Sequence, residues 1–127
     1  MRKITILVVS SPSLARIIEY LFRGRTEFEV VVSRVSGTGS LRQAERLLPE
    51  LIVANVKPVS TGICRVVASI KKSSPSSKVI LICPEDLSRT ARECGADACL
   101  RDEKLAGHLL RTARSLADRS RAAKAGN

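Results

Sequence analysis

Aromatic residues are almost missing from this chain of 127 residues, which has two Phe, one Tyr and no Trp. Its core must therefore be aliphatic, built from Val, Ile, Leu and Ala, and it lacks the aromatic platforms on which single-stranded nucleic acid stacks. Acidic residues are also few, 12 against 22 Lys plus Arg, for a formal net charge of +10. That balance favours encounter with anionic partners, whether nucleic acid, acidic proteins or lipid headgroups, and says nothing about fold. Long apolar runs are absent too. The N-terminal run Ile4 to Val9 is too short for a signal peptide or a membrane span, so a cytosolic (cytoplasmic) protein with no membrane partner is expected. No CxxC spacing occurs, and the four cysteines, Cys64, Cys83, Cys94 and Cys99, have one histidine, His108, for company. Reduced, buried or half-buried thiols are expected rather than a metal site. No glycine-rich phosphate loop follows the first apolar run, where the sequence reads Ser10-Ser11-Pro12-Ser13. His108 has no nucleophile beside it in any recognisable pattern, so neither enzyme activity nor a cofactor is expected.

What is present is a regular alternation of apolar runs and apolar stripes. The organising stretch is Pro49 to Pro58, in which Leu51 to Ala54 show no polar alternation, as in a central parallel strand covered on both faces. Asn55 stands where that strand leaves the core, and in open α/β sheets ligands gather at the carboxyl ends of strands. Ile4 to Val9 reads as a first strand, ended by Ser10 and Ser11, and Pro12 suits the first turn of a helix striped by Leu14, Ile17, Ile18, Leu21 and Phe22. Phe28 to Val32 is a second strand. Ser40 and Gln43 have the spacing of a capping box for a second helix with Leu41, Ala44, Leu47 and Leu48 inward. Ser60 or Thr61 can cap a third helix with an inner face of Ile63, Val66, Val67 and Ile70. Val79 to Cys83 is a strand, and Asp86 or Ser88 can cap a short fourth helix carrying Leu87, Ala91 and Cys94 and stopping at Gly95. Ala98 to Leu100 is a brief fifth strand. Asp102 caps a last helix with Leu105, Leu109, Ala113 and Leu116 inward and Lys104, His108, Arg111, Ser115 and Asp118 outward. These strand–helix pairs imply one domain over residues 1–118, a parallel sheet with helices on both faces, and a basic tail over 119–127 that is a frayed helix end or a disordered segment.

This order of elements, with Val8-Val9-Ser10-Ser11-Pro12, the strand from Pro49 to Asn55 and the turn Gly95-Ala96-Asp97, resembles a response-regulator receiver domain over roughly residues 3–117. The resemblance implies a doubly wound, flavodoxin-like α/β/α sandwich of five parallel strands in the order 2-1-3-4-5. It also implies a phosphorelay function in two-component signal transduction. In that family an aspartate ending the third strand accepts a phosphoryl group, two acidic residues after the first strand hold Mg²⁺, a Thr or Ser ends the fourth strand and a Lys ends the fifth. Here the aspartate position falls on Asn55, the acidic pair on Ser10 and Ser11, and the hydroxyl on Cys83. The lysine falls on Asp102 or, allowing a gap of one residue, on Arg101. The aromatic residue common in the fifth strand is Cys99.

These departures remove the reaction. Phosphoryl transfer needs a nucleophilic oxygen and a cation to neutralise the transferring group. An Asn amide oxygen accepts hydrogen bonds but is no nucleophile at neutral pH, and two serines offer Mg²⁺ neutral oxygens only. The pocket is expected to be structural or a fixed-state switch, with Ser10, Ser11 and Asn55 satisfying one another. The sharper alternative is capture of a small anion near Arg101 on helix-start N–H groups. What remains is surface. The resemblance places partner binding on the face of the fourth helix, fifth strand and fifth helix, here Arg89, Arg92, Cys99, Lys104, His108, Arg111 and Arg114. The expected function is a receiver-like module that binds an acidic signalling protein or pairs with itself, independently of phosphorylation. The alternative is nucleic-acid binding through the last helix and Arg119, Arg121 and Lys124, for which phosphate contacts alone suffice.

Overall fold

The computed structural model describes residues 3–33, 38–55, 63–83 and 88–125. Five strands, β1 (Ile4–Val9), β2 (Phe28–Val32), β3 (Leu51–Asn55), β4 (Lys78–Cys83) and β5 (Ala98–Arg101), form one parallel sheet in the order β2-β1-β3-β4-β5. Between and after them run α1 (Pro12–Phe22), α2 (Thr38–Leu47), α3 (Ile63–Ser73), α4 (Ser88–Glu93) and α5 (Leu105–Ala125), the last preceded by a 3₁₀ turn at Asp102–Lys104.

The apolar runs make both faces of the sheet hydrophobic because successive strand residues point to opposite sides. Ile6, Val8, Leu51, Val53, Ile80 and Ile82 pack under α1 and α5, against Ala15, Ile18, Phe22, Leu105, Leu109, Ala113 and Leu116. Their neighbours Leu7, Ile52, Ala54, Val79, Leu81 and Cys83 pack on the other side, against Ala44, Val67, Ile70 and Ala91 of α2, α3 and α4. This is the expected three-layer α/β/α architecture and strand order.

Several local expectations are corrected. Ile17, Leu47, Leu48 and Val66, assigned to inward stripes, are exposed by 51%, 37%, 62% and 39%. Each lies at the margin of its stripe, and the buried face is narrower, centred on Ala15 and Ile18 in α1 and on Val67 and Ile70 in α3. α2 starts at Thr38, so Ser40 lies inside its first turn and is not its cap. Ser60, Thr61, Asp86 and Leu87 lie outside the described residues. The segment after Asp118 continues α5 to Ala125, the helical one of the two alternatives expected for it. Ser120 is buried there, and Arg121 pairs with Glu50, so the last turns are held by packing that a search for an apolar stripe does not see.

The cysteines also depart from expectation. Cys64 at the start of α3 and Cys94 just after α4 are joined in a disulfide, with Cα atoms 4.6 Å apart. Cys83 and Cys99 are thiols. The turn that follows Cys94 uses Gly95 at φ +102, a left-handed conformation that glycine adopts without steric cost. Asp97 then closes the corner. Its Oδ2 accepts from the Val79 N–H at 2.8 Å and from Lys71 Nζ at 2.9 Å, tying β5 to β4 and to the end of α3.

Candidate functional site

Register alone brings the degenerate pocket together. Val9 of β1 stands opposite Ala54 of β3, Asn55 opposite Ile82 of β4, and Cys83 opposite Arg101 of β5, so the sequence-predicted residues lie along the carboxyl ends of adjacent strands. Their side chains do not form the mutually bonded cluster that was expected. Ser10 Oγ donates to the Ser11 carbonyl at 3.1 Å. Ser11 is the N-cap of α1; its carbonyl accepts the first helical bond from the Ala15 N–H at 2.9 Å, while its hydroxyl makes no capping bond. Among the described residues no hydrogen bond links Asn55 to either serine. Arg101 turns away to Glu103, Nη2 to Oε1 at 2.9 Å, with its side chain 46% exposed. The side chain of Asp102 lies outside the described residues.

The donor set at the strand ends does not fit Mg²⁺. Ser10, Ser11 and Asn55 present hydroxyl and amide oxygens with no carboxylate among them, whereas such sites hold Mg²⁺ through carboxylates. No phosphoryl-transfer step follows from these residues.

A second feature lies at the sheet edge. β5 is the edge strand of the sheet among the described residues, and between α4 and α5 it floors a groove of about 620 Å³. Arg92, Arg111 and Arg119 line this groove together with Asp97, Cys99, Thr112 and Ser115. Asp97 is the one acidic residue of its lining among the described residues, and that carboxylate is already committed to Lys71 and the Val79 N–H. The expected partner face is thus divided by the structure. Arg92, Cys99 and Arg111 belong to the groove, while Lys104 in the 3₁₀ turn and His108 on α5 are exposed outside its lining. Arg89 pairs along α4 with Glu93 at 3.3 Å. Arg114 is turned to the opposite side of α5, where its Nε donates to Glu27 Oε1 at 3.1 Å. Arg119, assigned to the tail, is the groove residue that the sequence reading misplaced. Helical spacing gives the signal that finds it, since Arg111, Ser115 and Arg119 recur every four residues on one face of α5.

Solved structures with the same arrangement include a signal receiver domain from Vibrio parahaemolyticus, 21% identical, with a TM-score of 0.81 over 100% of this chain and 98% of that one. The chain has the receiver-domain fold. A response-regulator receiver domain protein from Clostridium thermocellum is 23% identical, with a TM-score of 0.76 over 92% of this chain and 96% of that one. A response regulator from Thermotoga maritima is 16% identical, with a TM-score of 0.78 over 93% and 99%. No family model and no curated protein matches the chain. In this receiver fold, no helix among the described residues is long and apolar enough to cross a membrane.

Proposed function

We propose that this receiver-fold chain is a signalling module of two-component type that recognises an acidic protein partner through the α4–β5–α5 groove, without itself accepting a phosphoryl group. The observation that supports it is the groove's charge: three arginines around an edge strand, with the one carboxylate there already neutralised. A groove of one sign focuses its field and draws a partner of the other sign. The neutral side chains of Ser10, Ser11 and Asn55 support the second half of the reading. Self-association through the same groove is disfavoured, since it sets Arg92, Arg111 and Arg119 against their own copies. Nucleic-acid binding along α5 is weakened because Arg114 and Arg121, two of the cations it needs, are engaged with Glu27 and Glu50.

The test uses a fluorescently labelled Glu-rich peptide and a single-stranded oligonucleotide of equal charge, titrated against the full chain. The peptide is expected to bind at least about tenfold more tightly than the oligonucleotide at physiological salt, and Arg111→Glu with Arg119→Glu is expected to abolish that binding. Equal affinity for both probes, lost steeply with salt, would replace this reading with non-specific phosphate contact. Peptide binding indifferent to both substitutions would remove the groove from the account.

A further inference from the structure

The thiols of Cys83 and Cys99 have a relationship that neither the groove nor the pocket uses. Cys99 pairs with Leu81 across the β4–β5 ladder, and Cys83 lies two residues beyond Leu81, so both side chains project from the same face of the sheet at diagonal positions. Their sulfurs are 3.1 Å apart. Cys83 is fully buried, whereas Cys99 is partly exposed and lines the arginine groove. One thiol therefore meets solvent, and the other stands directly behind it. The remaining two cysteines are already paired in the same corner of the fold, between α3 and α4.

We propose that Cys99 and Cys83 form a thiol–disulfide exchange site, in which Cys99 attacks anionic low-molecular-weight disulfides that enter the groove and Cys83 resolves the adduct. The Cys99 thiolate attacks one sulfur of the disulfide RSSR, forms a Cys99–SR mixed disulfide and expels RS⁻. Cys83, losing its proton, then attacks the Cys99 sulfur, forms the Cys83–Cys99 bond and expels the second RS⁻. The two protein thiols give up two electrons and two protons, and RSSR is reduced to two RSH. Closing the bond requires the sulfurs to approach by about 1 Å, because a disulfide bond is about 2.05 Å long. Arg92, Arg111 and Arg119 set the charge preference, since an anionic disulfide is drawn into the groove and a cationic one is repelled. The new bond would couple the carboxyl end of β4, beside the degenerate pocket, to the floor of the groove. None of this depends on which partner the groove recognises.

The experiment treats the full chain with glutathione disulfide, traps remaining thiols by alkylation and maps the products by peptide mass spectrometry. Wild type is expected to yield the Cys83–Cys99 cross-link, reversible by dithiothreitol. Cys83→Ser is expected to accumulate the Cys99–glutathione adduct. Cys99→Ser, left with a buried thiol, is expected to remain unmodified while its circular dichroism stays native. At low ionic strength the anionic glutathione disulfide should react about tenfold faster than the cation cystamine, with the gap closing at high salt. A wild type that stops at the mixed disulfide overturns the resolving role of Cys83. A folded Cys83→Ser protein without adduct, or a Cys99→Ser protein modified equally fast, overturns the attacking role of Cys99. Equal rates for the two reagents overturn the charge selection.

Discussion

Arg121 of α5 grips Glu50, the residue before β3, through Nε to Oε2 at 2.9 Å and Nη2 to Oε1 at 2.7 Å. The two hydrogen bonds form the planar fork that a guanidinium makes with a carboxylate. Glu50 is itself fixed in the sheet, its N–H donating to Thr5 and its carbonyl accepting from Lys78. The final turns of α5 are therefore fastened to the amino end of the central strand. The bond to Glu50 raises the Arg121 pKa above its already high ordinary value. A raised pKa contributes stability below the unfolded value and loses it only as pH climbs through the folded one, so the arginine stays charged wherever the protein is folded.

Removing that fork tests the anchor. The Glu50 side chain is 9% exposed and would be left without its cation, but the Arg121 side chain is 35% exposed, so solvent screens part of the loss. Arg121→Ala is expected to lower stability by about 1–2 kcal/mol in urea denaturation, and Arg121→Lys to recover less than half, having no fork. A midpoint that does not move with Arg121→Ala would mean that the end of α5 is held by other contacts.

Leu48 ends α2 in the left-handed region, at φ +48, with its N–H still donating to the Ala44 carbonyl at 2.9 Å. A side chain there crowds its own carbonyl, at a cost of about 1–2 kcal/mol. Leu48 is 62% exposed, so little burial offsets that cost. Leu48→Gly relieves it and gives back part through the greater freedom of glycine in the unfolded chain. A net gain of about 0.5–1 kcal/mol is expected by thermal melting. A loss would show that the Leu48 side chain packs better than its exposure suggests.

The sheet was legible in the sequence because parallel strands buried on both faces leave apolar runs, unbroken from Leu51 to Ala54 in β3 and from Val79 to Cys83 in β4, and interrupted only by Thr5 in β1 and Glu29 in β2. The helices were legible by period but not by width. Ile17 and Val66 satisfy the helical spacing yet fall outside the stripe that the sheet covers. The extension of α5 was hidden because its support is an ion pair with a residue 71 positions away. The cysteine pairings were hidden for the same reason: Cys64 and Cys94 meet only through the placement of α3 beside α4. In the candidate pocket, residue identity was readable and geometry was not, as the outward turn of Arg101 to Glu103 shows.

The Cys64–Cys94 bond closes a loop with a sequence separation of 30 and fastens α4, a helix of only six residues. Loop-closure entropy assigns a crosslink of that span about 3.7 kcal/mol, acting chiefly on the unfolded chain. Adding reductant should lower the urea midpoint of wild type by a corresponding amount and leave Cys64→Ser/Cys94→Ser unchanged. Hydrogen exchange in α4 should quicken with the same treatment, since a helix this short is not stable on its own. A wild-type midpoint insensitive to reductant would contradict the crosslink.

Restoring one carboxylate at the strand ends is not expected to restore the missing chemistry. Asn55→Asp supplies an oxygen nucleophile, but Ser10 and Ser11 still offer Mg²⁺ neutral donors, and Arg101 is paired with Glu103. Incubated with acetyl phosphate and Mg²⁺, wild type and Asn55→Asp should both remain unlabelled, and the single variant should lose about 1 kcal/mol of stability from the unpaired carboxylate in its half-buried site. The triple variant Ser10→Asp/Ser11→Asp/Asn55→Asp brings three carboxylates to adjacent strand ends. Their mutual repulsion destabilises the metal-free protein, and Mg²⁺ relieves it. A Mg²⁺ titration followed by the amide signals of Val53, Ala54 and Asn55→Asp should therefore saturate at a concentration at least about tenfold lower than in wild type. Tight Mg²⁺ binding or phosphoryl labelling by the unmodified chain would show that neutral oxygens suffice there, and the proposal of a receiver fold acting without phosphorylation would fall.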